Sequence, residues 1–289
     1  MKKIPFRSYG PAARLALLGA IFIGSLMLLA VVSAGASALF PAGRTLMLLT
    51  AAAQDILCFA LPAWVLARLC TGDSVRALGL DSGAPARAWL GMVAVAVIAW
   101  PAMEQIVAWN EALPLAPDNM FRLMEQEARA ATDILLGDPS VWGLVSGVLV
   151  VGVLTGLCEE MFFRGGVQRV LREGGLNPHV AVWSAAVIFS ALHFQLLGFV
   201  PRVLMGAFFG YLYLWSGTLW LPAAAHALNN SAVVIVSWIS LHTGTDYAIP
   251  PAAMPWLAAA SACATTAVLA LWRRHLFFNR NHPSDGSKE

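Results

Sequence analysis

An all-α bundle that crosses a membrane about eight times is the fold class the sequence predicts, at roughly 20 apolar residues per crossing plus loops. Three observations carry the prediction. Of 289 residues, 59% are hydrophobic and 12% charged, against about 25% charged in soluble domains. The mean hydropathy is +0.70. The charges gather between long apolar runs, among them the 18 uncharged residues from Val141 to Cys158. Together these predict a polytopic bundle whose polar side chains at membrane depth line an internal cavity.

The elements follow in order. Residues 1–14 carry Lys2, Lys3, Arg7 and Arg14 and no acid, which places the start on the cytoplasmic side. Leu15 to Phe40 is the first crossing. Its end, Ser33-Ala34-Gly35-Ala36-Ser37-Ala38, resembles a signal-peptidase site. The apolar core before it is longer than the about 7–15 residues of a signal peptide, so it reads as a retained anchor. The second crossing, from about Thr45 to Leu69, contains Gln54 and Asp55. A loop with Arg76 and Arg87 follows, and Ala88 to Ala108 is the third crossing.

Residues 109–139 differ in character. Glu111, Asp118, Glu125, Glu127, Asp133 and Asp138 outnumber Arg122 and Arg129, with Met120, Phe121, Leu123 and Met124 between them. This pattern predicts a short amphipathic helix on the outer surface. Val141 begins the fourth crossing, which continues as helix beyond the membrane until Gly174-Gly175 stops it. Pro178 starts a fifth that runs to about Leu197, and Arg202 stands before a sixth from Val203 to Trp215. After the tight turn Ser216-Gly217-Thr218 comes a seventh, Leu219 to Leu241. Trp256 to Trp272 is the eighth, and the tail holds Arg273, Arg274, Arg280 and Lys288. Eight crossings put both termini in the cytoplasm. No fixed-period repeat divides the chain, which reads as one domain over residues 1–289 with a motif-bearing core at about 141–241.

Several function classes fall away. A net charge of +2, scattered along the chain, gives no footprint for a nucleic acid. The cysteines Cys58, Cys70, Cys158 and Cys263 show no C-x-x-C spacing, so neither a disulfide framework nor a thiolate metal site is indicated. Cys158 reads as a small buried hydrophobe rather than a nucleophile.

The chemistry lies in the polar residues at membrane depth. A carboxylate at the bilayer centre costs about 2.5–3.5 kcal/mol on insertion scales, yet Glu159 and Glu160 stand side by side. Glu160 and Arg164 are four apart on one helical face, acid before base, the favourable order for an ion pair. Glu159 is rotated about 100° away and is left free. His193 in the fifth crossing, His226 and Asn230 in the seventh and Asp55 in the second are further candidates by default. Glu159 lies 15 residues before Gly174, and His193 lies 19 after it, so a helical hairpin brings them to similar heights. His226 is eight residues past Thr218, and Asn230 is one turn deeper on the same face. These four can meet in one cavity.

A free carboxylate, two histidines and a carboxamide are an inventory for hydrolysis. Three ligands drawn from His and Asp/Glu hold Zn²⁺ with one position open for water. A carboxylate beside that water is a general base, and an amide or imidazole donor stabilises the oxyanion. No helix carries H-E-x-x-H, so the site must be assembled from several helices. Each feature also has a bland reading. An intramembrane histidine can be interhelical glue, as can His226 with Asn230. Phe189 can simply pack beside His193, and Asp55 has no supporting group at helical spacing and reads as a structural or supporting acid. His179, His242, His275 and His282 lie at span ends or in the tail. A proton relay through Glu159, Glu160, His193 and Asp55 would suit a transporter, but no inverted repeat accompanies it.

Glu159-Glu160-Met161-Phe162-Phe163-Arg164, Phe189-Ser190-Ala191-Leu192-His193 and His226-Ala227-Leu228-Asn229-Asn230 resemble the E-E-x-x-x-R, F-x-x-x-H and H-x-x-x-N motifs of the CPBP family of intramembrane proteases, which includes CAAX-processing endoproteases of the Rce1 type. The resemblance covers about Val141 to Leu241. It implies a helical membrane fold with a polar cavity toward the cytoplasm. Glu159 and His193 would activate water, and His226 and Asn230 would serve oxyanion stabilisation or metal binding. Glu160, Arg164 and Phe189 would brace the site. The expected cofactor is a divalent metal, Zn²⁺ first, on Glu159, His193 and His226. The expected substrate is a lipidated or membrane-embedded peptide, and the expected location is a bacterial inner membrane. A non-enzymatic scaffold or bacteriocin-immunity protein of the same fold is the alternative.

Overall fold

The structure, a computed structural model, describes residues 8–116, 118–245 and 254–277. Lys2, Lys3 and Arg7, and Arg280, His282 and Lys288 of the tail, lie outside the described residues. The described residues form helices and no strand. In chain order these are α1 (Pro11–Leu39), α2 (Arg44–Thr71), α3 (Ser74–Leu78), α4 (Ala86–Glu111) and α5 (Met120–Leu136). There follow α6 (Val141–Glu173), α7 (Pro178–Ala191), α8 (Phe199–Ser216), α9 (Trp220–Thr243) and α10 (Met254–Phe277). Among the described residues seven helices are long and apolar enough to cross a bilayer, α8 being counted from Leu196. The protein is an integral membrane helical bundle.

The expected fifth crossing is where the structure differs. α7 has only 14 residues, about 21 Å at 1.5 Å per residue, short of a hydrocarbon core of about 30 Å. The apolar pattern continues to Leu197, but the backbone does not: Phe194 takes φ 54, a left-handed conformation that ends a helix. One 3₁₀ turn, Leu196–Gly198, then leads into α8, which packs antiparallel against α7. His193 therefore sits in a turn rather than within a crossing helix.

Two sets of contacts define the ends of the bundle. At one end Arg14 meets Glu173 at 2.8 Å, Thr218 Oγ1 donates to Ser82 O at 2.6 Å and Leu219 N–H donates to Gly79 O at 2.9 Å. At the other, Arg44 donates to the carbonyls of Leu135 and Gly143, each at 2.8 Å, and Trp238 Nε1 donates to Pro139 O at 2.9 Å. α5 lies at this second end with none of its residues buried, as the amphipathic pattern predicted. Arg44 closes the carboxyl end of α5, where cationic groups are favoured.

α6 approaches α9 through Gly147, Gly152 and Gly156. A Cβ at these positions would meet Val234, Ser231 and the backbone of Ala227 respectively. The glycine spacings are five and then four, and five residues of ideal α-helix would swing Gly147 off the shared face. A π-helical segment, Val148–Leu154, takes up the extra residue and keeps the three glycines aligned. Further π-helical segments occupy Met161–Gln168 and, in α2, Asp55–Ala60. In α4, Pro101 has no N–H to donate. Ser261 of α10 inserts one residue later, donating to Ile98 O at 2.5 Å and accepting from Ala102 N at 3.2 Å. An aromatic run joins α1, α2, α6 and α7: Phe22–Phe162, Phe59–Phe162, Phe162–Phe163 and Phe163–Phe189 have ring centroids 5.2, 5.6, 5.1 and 5.0 Å apart.

Gly156→Ala places a methyl carbon 2.7 Å from the Ala227 backbone nitrogen, which cannot yield as a side chain can. The variant should lose about 1–3 kcal/mol of stability, seen as a lower melting temperature in detergent. Gly24→Ala, which meets nothing within 4 Å, should show no loss.

Candidate active site

The polar cluster forms where α6 passes between α2, α7 and α9. Glu160 is fully buried, which is tolerable only because the carboxylate is paired. Arg164, also fully buried, donates from Nε to Glu160 Oε2 at 2.6 Å and from Nη2 to Oε1 at 3.3 Å. The helix-face argument from the sequence thus describes a real fork-to-carboxylate pair. The Arg164 carbon Cζ lies 5.7 Å from the Phe189 ring centroid, a cation–π contact on its other side. Arg164 Nη1 has no hydrogen-bond partner.

His226 is the link between the two glutamates. Its Nδ1 lies 3.0 Å from Glu160 Oε1. An ionised carboxylate only accepts, so Nδ1 carries the proton. Nε2 then faces Glu159 Oε2 at 3.7 Å. That separation exceeds a direct hydrogen bond and sets the two acceptor atoms side by side, so that a water placed beside the pair can donate to both. Phe209 of α8 stacks on the imidazole, with centroids 4.8 Å apart and planes at 19°, fixing its tilt. Glu159 is buried but not sealed, with 10% of its side chain accessible.

His193 is held differently. Its Nδ1 lies 2.8 Å from Phe189 O, an acceptor-only partner, so Nδ1 donates and Nε2 is the unprotonated nitrogen of the neutral ring. Phe189 is edge-on to both imidazoles, 5.0 Å from His193 and 5.8 Å from His226. It separates the histidines' environments as well as packing beside one. Asn230 donates to Val151 O at 3.2 Å, within the π-helical segment of α6, and its Oδ1 accepts from Asn229 at 3.2 Å. One N–H of its amide is therefore already engaged in joining α9 to α6.

Asp55 comes into the same neighbourhood. Thr155, one turn before Glu159 on α6, donates to Asp55 Oδ2 at 2.7 Å. Asp55 is buried. This is the supporting acid of the sequence reading, now with a partner that helical spacing within α2 could not reveal. Thr155 and Phe209 were not singled out from sequence. Thr155 carried a faint signal, four residues before Glu159; Phe209, in a Phe-Phe pair of an apolar helix, carried none.

The expected metal set is not assembled. Among the described residues no three His, Cys, Asp or Glu side chains come together around a common point. Glu159 and His226 Nε2 face each other, and both histidines keep Nε2 unprotonated with Nδ1 held on an acceptor, as metal ligands do, but His193 does not join the other two at one point. Three protein ligands are the rule for a catalytic zinc, and Glu159, His193 and His226 do not supply them in this arrangement.

Comparison with known proteins bears on this region. Residues 141–232 match the family model described as type II CAAX prenyl endopeptidase Rce1-like. The matched segment holds Glu159, Glu160, Arg164, Phe189, His193, His226 and Asn230; Asp55 lies outside it. A Bacillus subtilis (strain 168) protein, named "Uncharacterized protein YpbD", is 32% identical over 88 residues. That alignment covers 29% of this chain and 42% of the relative's length. No solved structure matches.

Arg164→Met leaves the Glu160 charge buried without its counter-ion, and should cost about 3–5 kcal/mol. Thermal unfolding in detergent measures it. Glu160→Gln combined with Arg164→Met removes both charges and should recover a large part of that loss.

Proposed function

We propose that the protein is an intramembrane endopeptidase that hydrolyses a peptide bond of a lipidated or membrane-embedded substrate. The observation that carries the reading is the Glu159–His226 gap of 3.7 Å, buried among apolar helices and braced by the Glu160–Arg164 pair. The match of residues 141–232 to an Rce1-like family model supports the same reaction class.

In this reading one water sits beside Glu159 Oε2 and His226 Nε2 and donates to both. Glu159 removes its proton as the oxygen attacks the scissile carbonyl, and a tetrahedral intermediate forms. Glu159 then returns that proton to the leaving amine as the carbon–nitrogen bond breaks. His226 orients the water through Nε2, its own ring held by Nδ1–H on Glu160 and by Phe209. His193, with Nε2 unprotonated, is a second proton acceptor facing the substrate. Asn230 has a second N–H for the oxyanion, beside the one given to Val151. Each unit of general base catalysis is worth about 10²–10⁴-fold in rate. Exclusion of water by the surrounding phenylalanines strengthens every charge interaction within.

The bilayer selects the substrate class. A site at membrane depth meets peptides brought there by a lipid or by an apolar segment, and the description of the matching family model points to prenylated cysteine peptides. In this reading the basic residues near the start and in the tail favour the cytoplasmic side of a bacterial inner membrane for both termini, the short α7 returning with α8 to the end of the bundle it left.

Purified protein in detergent, given a panel of membrane-anchored and prenylated peptides, should cleave at least one. Glu159→Gln should lower that rate about 10²–10⁴-fold with the melting temperature kept. Cleavage of a verified substrate at an undiminished rate by Glu159→Gln would overturn the mechanism. Dialysis against a chelator should leave the rate unchanged; loss of activity restored by Zn²⁺ would mean that an ion completes the site during turnover.

A further inference from the structure

The turn that presents His193 is gripped by side chains outside the three motifs. α7 ends at Ala191, Phe194 adopts φ 54, and Leu196–Gly198 makes a single 3₁₀ turn before α8. Backbone groups of such a turn that are buried from solvent must be satisfied by protein. Asn110, the next-to-last residue of α4 and 0% exposed, does much of this. Its Nδ2 donates to Leu196 O at 2.9 Å, and its Oδ1 accepts from Val200 N–H at 2.8 Å. Val200 N–H belongs to the first turn of α8, which has no partner within its own helix. One amide thus caps α8 from a neighbouring helix and holds the turn before it.

Arg202 grips the other side. Its Nη1 donates to Gln195 Oε1 at 2.7 Å and its Nη2 to Gln195 O at 2.6 Å. This is a planar fork on a residue two positions from His193. Ser190, fully buried, donates to Phe199 O at 2.8 Å and ties the end of α7 to the start of α8. Within the turn, His193 N–H donates to Ser190 O at 3.2 Å, and the imidazole is fixed on Phe189 O at 2.8 Å. The position of His193 Nε2 therefore follows from where these partners hold the backbone.

We propose that Asn110 and Arg202 are positioning residues for His193. α4 then belongs to the reaction machinery, although it carries no motif and lies outside the segment 141–232 matched to the Rce1-like family model. The inference rests on the reading of His193 as a participant in hydrolysis, and it adds the residues that aim it. Both act through the backbone of the turn, and neither touches substrate. A misplacement of a reacting group by about 1 Å costs on the order of 10²-fold in rate, so a loosened turn is felt in chemistry before it is felt in binding.

The test uses the full-length protein in detergent and two kinds of measurement. Diethyl pyrocarbonate modification, followed residue by residue by mass spectrometry, reads the setting of His193 without reference to turnover. Asn110→Ala and Arg202→Lys should each change the modification rate of His193 severalfold and leave exposed His242 unchanged. An unchanged His193 rate in both variants overturns the proposal. In a cleavage assay both variants should lose on the order of 10²-fold in kcat with KM kept. Added to His193→Ala, Asn110→Ala should cause no further loss; an equal second loss overturns the proposal. Ser261→Ala, which removes a buried bond between α4 and α10 away from the turn, should lower the melting temperature and keep kcat. A matching fall in kcat there assigns the effect to general loosening and also overturns it. Should wild-type protein cleave none of the peptides, the proteolytic reading fails, while the modification rates still decide whether Asn110 and Arg202 hold His193.

Discussion

Glu160 and Arg164 form the constraint on which the site depends. Two opposite charges taken fully out of water are costly unless each is matched closely, and removing either partner strands the other. The pair meets that condition through two hydrogen bonds, the shorter 2.6 Å. It then does more than neutralise itself. The same Glu160 oxygen that takes the second of those bonds also receives His226 Nδ1 at 3.0 Å, so the ion pair dictates which nitrogen of His226 holds a proton and which faces Glu159. Phe189, touching Arg164 and both histidines, completes the frame.

Backbone irregularities of α6 place these groups. A uniform α-helix cannot present Gly147, Gly152 and Gly156 to α9 on one face, and without that close approach His226 would not reach Glu160. The π-helical segment Val148–Leu154 solves both problems and offers Val151 O to Asn230. A second segment in α2 begins at Asp55, which meets Thr155. Irregular geometry thus concentrates where the polar residues are, with neighbouring helices supplying the partners that lipid withholds.

The hairpin of α7 and α8 divides responsibility for the two histidines. His226 sits inside a long helix, stacked on Phe209 and anchored to an ion pair. His193 sits in a turn whose order is imposed from α4 and from Arg202. That division separates His193 from the Glu159–His226 pair and leaves the three side chains short of a common metal-binding point. It also gives each histidine its own protonated nitrogen, through a carboxylate in one case and a backbone carbonyl in the other.

Much was legible in the sequence because the bilayer imposes one-dimensional rules. Apolar length announces a crossing, charge avoids it, and 3.6-residue periodicity decides which neighbours share a face. Those rules sufficed for the helical membrane bundle, for the surface helix at Met120–Leu136, for the Glu160–Arg164 pair and for Glu159 pointing elsewhere. They failed at Phe194, where an apolar residue in a left-handed conformation ended a helix that hydropathy extended to Leu197, so among the described residues seven helices rather than eight have the length to cross. They were silent about Thr155 beside Asp55, Phe209 on His226, and Asn110 under the His193 turn, whose partners are 86 and 90 residues away along the chain. Local pattern records what a residue's own helix asks of it. Only the packing of separate helices decides which distant side chain answers, because hydrogen bonds and ring contacts depend on a few ångströms of separation that no linear spacing encodes.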